Sequence, residues 1–271
     1  DPDAAVPARI AGRPGAFDAM EHGPPPYRTL DSEEMELLRS FRLRTVFPDD
    51  VLAELEGLPE DPTPADIEGR LDLRGETSFT IDGADAKDYD DAIGIRPRDG
   101  GGYHVSVHIA DVSHYVRPGT ALDDEALSRG TSVYLADQVI PMLPEKLSNG
   151  LCSLVPKRDR LAYSVFMEFD AAGERVDSSV AKSVIRSVHR NQYRIVQELL
   201  DGVDSDETRE IEFLREPLEQ FTEWTRTQQR IRDAKGSLRI QSTEKRFRFD
   251  EKHAPVEVVP APRYFSQTLI A

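Results

Sequence analysis

The sequence predicts an α/β protein of the mixed α+β kind, with a central mixed β-sheet flanked by helices. Three observations lead there. Apolar residues alternate with polar ones from Ser78 to Val112, the period of half-buried strands. "LAYSVFMEFD" and "ERVDSSVAKSVIRS" flank "AAG", the pattern of two antiparallel strands joined by a turn. After about residue 204 the period becomes helical. Strands and helices thus mix along one stretch of chain, as in a layered core.

Taken in order, residues 1–28 are rich in Pro, Gly and Ala, end in "GPPPY", and read as a flexible arm or linker. Residues 29–72 read as a short helical lead-in. One helix fits "DSEEMELLRSFRL", capped by Asp31 or Ser32, and a second fits "PDDVLAELEG", with Pro48 before it and Gly57 after it. "LPEDPTPADIEGRLDLRGE" reads as loop and single turns. Residues 73–271 form the main domain. Strands are expected around Phe79 and Ile81 and over Tyr103 to Val112, then the pair about "AAG". Helices are expected over "DSDETREIEFLRE" and "PLEQFTEWTRTQQRIRDAKG", where Leu218, Phe221, Trp224 and Ile231 share a face and Gly236 closes the helix.

The 271 residues are 38% hydrophobic, enough for a sizeable core. No run approaches the ~18 apolar residues of a membrane span, and the start has no apolar signal-peptide core, so a cytoplasmic setting without membrane partners is expected. The single Cys152 allows no internal disulfide and no zinc cluster of its own. A net charge of −16 argues against a general nucleic-acid coat, though not against a nuclease, whose metal ligands are acidic. Basic clusters at Lys157 to Arg160, Arg186 to Arg194 and Glu244 to Arg248 either line a substrate path or are solvated faces.

"FTIDGADAKDYDDAIGI" places Asp82, Asp85, Asp88, Asp90 and Asp91 within ten residues. If Asp82 ends a strand and Gly83-Ala84 turns the chain, Asp88, Asp90 and Asp91 return opposite it. Carboxylates that close share protons or take a cation. Oxygen ligands favour Mg²⁺ or Mn²⁺. Two such ions about 3.5–4 Å apart suit phosphodiester hydrolysis. A solvated acidic turn and a calcium loop are the competing readings, although the EF-hand spacing is not matched. A proton-sharing acid/base pair would not use so many carboxylates.

"TIDGADAKDYDDAI", the block "HVSVHIADVSHYVRPGTALDDEALSRGTSVYLADQVIPMLPEKLSNGLCSL" and "SVIRSVHRNQY", in that order, resemble the catalytic domain of the ribonuclease II / ribonuclease R superfamily of exoribonucleases. The resemblance runs from about Arg42 to the end. It implies a ribonuclease II-type catalytic domain that is incomplete on its C-terminal side. It further implies hydrolysis of single-stranded RNA from the 3′ end to nucleoside 5′-monophosphates, with Mg²⁺ (or Mn²⁺) as cofactor. Asp82, Asp88 and Asp91 match the metal-holding positions and Asp90 the position that places the scissile phosphate or a metal. Tyr134 in "GTSVYL" and Tyr193 match base-stacking aromatics. Asp85 and Lys87 fall at variable positions and read as surface.

The pattern departs from the family at "VHRNQ", where relatives carry an Ala-Arg-Leu-Thr-like run. A later glutamate helix and a Ser-Pro-x-Arg-Arg segment of relatives lie beyond "RYFSQTLIA". The implied partners are therefore RNA, the rest of the catalytic domain and an RNA-binding domain of the same protein, and this chain alone is expected to be weak or inactive. Other readings are a non-catalytic RNA-binding relative, a calcium-dependent structural or interaction module, and a DNA exonuclease. His108 and His114 read as hydrogen-bonded structural histidines, Cys152 as a buried small residue and Trp224 as packing.

Overall fold

The computed structural model describes residue 36 and residues 38–135, 139–238, 244–250 and 255–270. The expected arm over 1–28 and most of the first lead-in helix lie outside them. The described strands are β1 (Leu71–Asp72), β2 (Thr80–Asp82), β3 (Asp91–Pro97), β4 (Tyr103–Ala110), β5 (Val133–Tyr134), β6 (Val139–Ile140), β7 (Arg160–Phe169), β8 (Arg175–Ile185), β9 (Arg190–Gln192), β10 (Lys245–Phe249) and β11 (Pro255–Pro260). The α-helices are α1 (Asp49–Glu56), α2 (Pro64–Ile67), α3 (Val112–Tyr115), α4 (Ala121–Arg129), α5 (Tyr193–Leu200), α6 (Asp206–Glu210) and α7 (Arg215–Ala234).

By packing, the described residues fall into two compact units, one from those up to 59 with those of 113–146 and the other from 60–112 with those from 147 on. The reason is visible in the smaller unit: Glu54 of α1 accepts the Leu122 amide at 3.0 Å at the start of α4, and Lys146 donates to the Leu55 and Leu58 carbonyls. Arg129 at the end of α4 donates to the carbonyls of Arg44, Val46 and Pro141 and lies 3.7 Å over the Phe47 ring.

The larger unit is built on a five-stranded sheet of order β1-β8-β7-β4-β3, antiparallel except for the parallel β1–β8 pair. The sheet is therefore mixed, as the patterning predicts. The turn at 170–174 joins β7 to β8: Asp170 Oδ1 accepts the Ala172 and Glu174 amides, both at 2.9 Å. Gly173 there has φ +84°, and a Cβ would stand 2.6 Å from Thr227 Cγ2 of α7. Gly94 in β3 is required for a different reason, since a Cβ would lie 2.9 Å from the Thr77 carbonyl oxygen.

Phe79, Ile81, Ile93, Val105 and Phe169 from the strands pack against Val196 and Leu199 of α5 and Leu218 and Phe221 of α7, all nearly inaccessible. Phe79 meets Phe221 edge-on at 6.3 Å. The predicted final helix begins two residues early, because Pro217 in a first turn loses no intrahelical bond. "DSDETREIEFLRE" breaks into α6 and a 3-10 turn at Glu212–Leu214. Helices α4 and α5 are not among the predicted elements.

Candidate active site in the aspartate loop

Asp82 is the last residue of β2, which pairs in parallel with β9: Thr80 with Arg190, Ile81 with Asn191, Asp82 with Gln192. Asn191, 1% exposed, donates through Nδ2 to the Thr80 carbonyl at 2.9 Å and so locks this register. On its other side the chain before β2 bonds to β3, with Phe79 and Ile93 exchanging both backbone hydrogen bonds. Two residues along each chain from that pair stand Ile81 and Asp91. The sequence expectation that the chain turns after Asp82 and returns beside it is met by this antiparallel approach.

The return is stapled from several sides. The Tyr89 amide donates to Ser153 Oγ at 2.9 Å, Ser153 Oγ donates to the Lys87 carbonyl at 3.2 Å, and the Leu154 amide donates to the Tyr89 carbonyl at 2.8 Å. The Ala110 amide binds the Asp90 carbonyl at 2.9 Å. Behind Ser153, the buried Arg160 donates to the Gly150 and Ser153 carbonyls, both at 3.0 Å, and to Asp61 at 2.8 Å. On the outgoing half, Arg190 Nη2 donates to the Ala84 carbonyl at 2.6 Å and the Gly83 carbonyl at 3.4 Å, with its guanidinium 5.3 Å over the Tyr89 ring.

Asp82 is half-buried, and its Oδ2 is fully buried with no hydrogen-bond partner among the described residues. Burial is the main reason its pKa rises to about 6; Asp91 and Asp88 add to the rise, while the nearby Thr80 hydroxyl and Arg190 oppose it. Asp91 is raised by burial. The exposed Asp90 is raised first by loss of water on the protein side of its carboxyl, then by Asp88 and Asp91. Asp82, Asp88, Asp90 and Asp91 thus share one electrostatic neighbourhood. Among the described residues, however, no three carboxylate, imidazole or thiol groups stand together as a complete ligand set. Like charges at this range stay apart unless a cation lies between them. Asp85 and Lys87 are exposed.

Tyr193 opens α5 directly after β9, half-buried against the core. Burial raises its hydroxyl pKa, and Asp82 and Asp91 raise it further, so the structure brings this tyrosine to the aspartates. Tyr134 belongs to the other unit, on the β5–β6 pair, and is 69% exposed.

Sequence reasoning missed Arg190, Asn191, Ser153 and Arg160. Arg190 lies in a basic cluster open to a reading as solvated face; its partners are backbone carbonyls 106 and 107 residues away, which no local pattern reveals. The expected structural residues behave as such. His108 is buried with Nδ1 2.6 Å from Ser164 Oγ, and burial lowers its pKa to about 4. Cys152 is buried, its thiol pushed up to about 12 by burial, then by Asp90 and Asp111. Trp224 packs edge-on against Phe169 and Phe221.

The RNB domain model matches residues 70–271. Ribonuclease R of Thermotoga maritima is 45% identical over 225 residues, 83% of this chain and 31% of that protein. Ribonuclease R of Escherichia coli K12 is 38% identical over 233 residues, 86% of this chain and 28% of that protein. The chain therefore spans less than a third of the length of these two relatives. Among solved structures, Mycoplasma genitalium RNase R in complex with ribose-methylated single-stranded RNA superimposes with a TM-score of 0.79 at 28% identity, over 88% of this chain and 37% of that one. The same protein in complex with double-stranded RNA gives the same score.

Proposed function

Because the chain belongs to the RNB-domain family of ribonuclease II and ribonuclease R exoribonucleases, we propose that the protein containing it hydrolyses single-stranded RNA from the 3′ end, releasing nucleoside 5′-monophosphates in RNA degradation and processing. Water forms the new bond to phosphorus, the bond to the 3′-oxygen of the preceding nucleotide breaks, and that oxygen takes the proton. The observation that carries the reading is the buried, partnerless Oδ2 of Asp82 within the field of Asp88 and Asp91. A buried carboxylate without a partner is costly, and a hard divalent cation is the group that suits an all-oxygen donor set.

The all-oxygen chemistry of these residues suits Mg²⁺, with Mn²⁺ as a substitute. Asp82, Asp88 and Asp91 would hold it, and when bound it would supply positive charge to the carboxylates and to the phosphate in the transition state. Asp90, exposed at the rim, orients the scissile phosphate. Tyr193, anchored at the start of α5, supports the terminal nucleotide, and Tyr134 is an RNA-stacking residue by its match to the family's position. Aromatic stacking tolerates any base, which suits degradation without sequence readout.

The test is incubation of the intact protein with 5′-labelled single-stranded RNA and Mg²⁺, beside an Asp90→Asn variant. Stepwise shortening that the substitution abolishes, with RNA binding retained, supports the reading. Unchanged degradation by the variant rules out this centre.

A further inference from the structure

The loop from Gly83 to Asp90 carries two of the four acidic groups, Asp88 and Asp90, and leads directly into a third, Asp91; its two halves are held differently. The return half is fixed by backbone bonds to the 153–154 segment and to Ala110. On the outgoing half, Arg190 supplies the hydrogen bonds from outside the loop among the described residues, while the Ala86 amide to Gly83 carbonyl bond at 3.2 Å closes the turn itself. Arg190 reaches both halves: its Nη2 donates to the Gly83 and Ala84 carbonyls, and its Cζ stands 5.3 Å from the ring centre of the buried Tyr89, whose hydroxyl donates to the Ala86 carbonyl at 3.0 Å. The same residue stands opposite Thr80, two positions before Asp82, in a register that Asn191 locks.

We propose that Arg190 is the positioning residue of the acidic centre, clamping the Gly83–Tyr89 loop so that Asp88, Asp90 and Asp91 keep a fixed spacing from Asp82. Its side chain binds the protein, not the RNA. A guanidinium suits this task, because one planar group can bridge two carbonyl oxygens and lie flat on a ring; an ammonium offers one point of charge. The inference rests on the exoribonuclease reading for its kinetic consequence but not for its structural one.

The experiment uses the intact protein with Arg190→Ala and Arg190→Lys, and measures kcat and KM on a short single-stranded RNA together with hydrogen exchange of the Gly83–Asp88 amides. A clamp predicts that kcat falls roughly hundredfold in Arg190→Ala, since misplacement on the order of 1 Å has that cost, while KM stays within about threefold. It also predicts faster exchange at Ala86 in that variant and a rate for Arg190→Lys below about a tenth of wild type. A raised KM with unchanged kcat would make Arg190 an RNA phosphate contact and overturn the proposal. So would unaltered exchange across the loop, or full rescue by lysine. If the wild-type protein fails to shorten RNA, the proposed function falls, and the exchange measurement still decides whether Arg190 clamps the loop.

Discussion

The Asn191 side-chain amide donates to the Thr80 carbonyl at 2.9 Å, so a residue only 1% exposed ties the strand that ends in Asp82 to the strand that leads into Tyr193. Its Oδ1 lies 3.1 Å from His189 Nδ1, which completes the amide's bonding. Replacing Asn191 by Ala removes this side-chain bond while the β2–β9 ladder stays. We predict a loss of ~0.5–1.5 kcal/mol in stability, read from the midpoint of urea unfolding at unchanged slope.

The raised pKa of Asp82 makes a signed prediction for the metal-free protein. With a folded value of about 6 against 3.8 unfolded, the native state binds the proton more tightly. This contribution favours folding fully below about pH 4 and is lost as pH rises through 6, leaving a cost of up to about 3 kcal/mol at pH 7. Asp82→Asn is therefore expected to raise Tm at pH 7 in the presence of chelator, with the difference closing towards pH 4. The same variant is expected to lose RNA hydrolysis. A Tm unchanged by the substitution at pH 7 would show that the carboxylate is not buried at a cost.

His108 behaves in the opposite sense. Burial holds its pKa near 4, against 6.5 for an ordinary imidazole. The unfolded chain binds the proton more tightly, so stability is complete above about pH 6.5 and declines by up to about 3 kcal/mol as pH falls through 4. In NMR titration the His108 ring signals are expected to stay in the neutral form down to pH 5, while an exposed histidine titrates.

Cys152 offers a direct check on burial around the centre. A thiol raised to about 12 by its surroundings is almost wholly protonated at pH 8 and shielded from reagents. The folded protein is expected to resist a thiol-reactive dye at that pH and to react fully in guanidinium. Rapid labelling of the native state would mean that the 150–154 segment, and with it the Ser153 staple, opens readily.

Tyr193 separates stacking from hydroxyl chemistry. Tyr193→Phe keeps the ring packed at the start of α5 and is expected to bind RNA within a few-fold of wild type. Tyr193→Ala removes the platform and is expected to weaken binding by ~1–3 kcal/mol, measured by fluorescence anisotropy with a labelled oligonucleotide.

An ion pair inside the sheet unit completes the set. Arg70 Nη2 meets Asp111 Oδ2 at 2.7 Å, and both side chains are almost inaccessible. Arg70→Met leaves Asp111 short of its cation in a dry site, with an expected loss of roughly 3–5 kcal/mol by denaturant unfolding. The double variant Arg70→Met, Asp111→Leu is expected to recover part of that loss.

The sequence by itself determined the elements whose signal is local. The period-two runs became β4, β7 and β8, Pro48 and Gly57 bracketed α1, and the Asp-rich stretch became the turn between β2 and β3, because alternation, capping and turn chemistry act over a few residues. It also named the carboxylates and Tyr193 that share one neighbourhood. Only the tertiary structure decided what holds them. Arg190 grips Gly83 and Ala84 from more than 100 residues away, Ser153 staples Tyr89 and Lys87, and Arg160 braces Ser153. Such contacts pair donors with backbone carbonyls, which every residue carries, so composition and spacing hold no record of them. Helices α4 and α5, absent from the predicted elements, did carry local signals: Thr120 caps α4 and Gly130 closes it, and Val196 and Leu199 fall on the buried face of α5. Which neighbours those faces meet was settled only when the chain had folded.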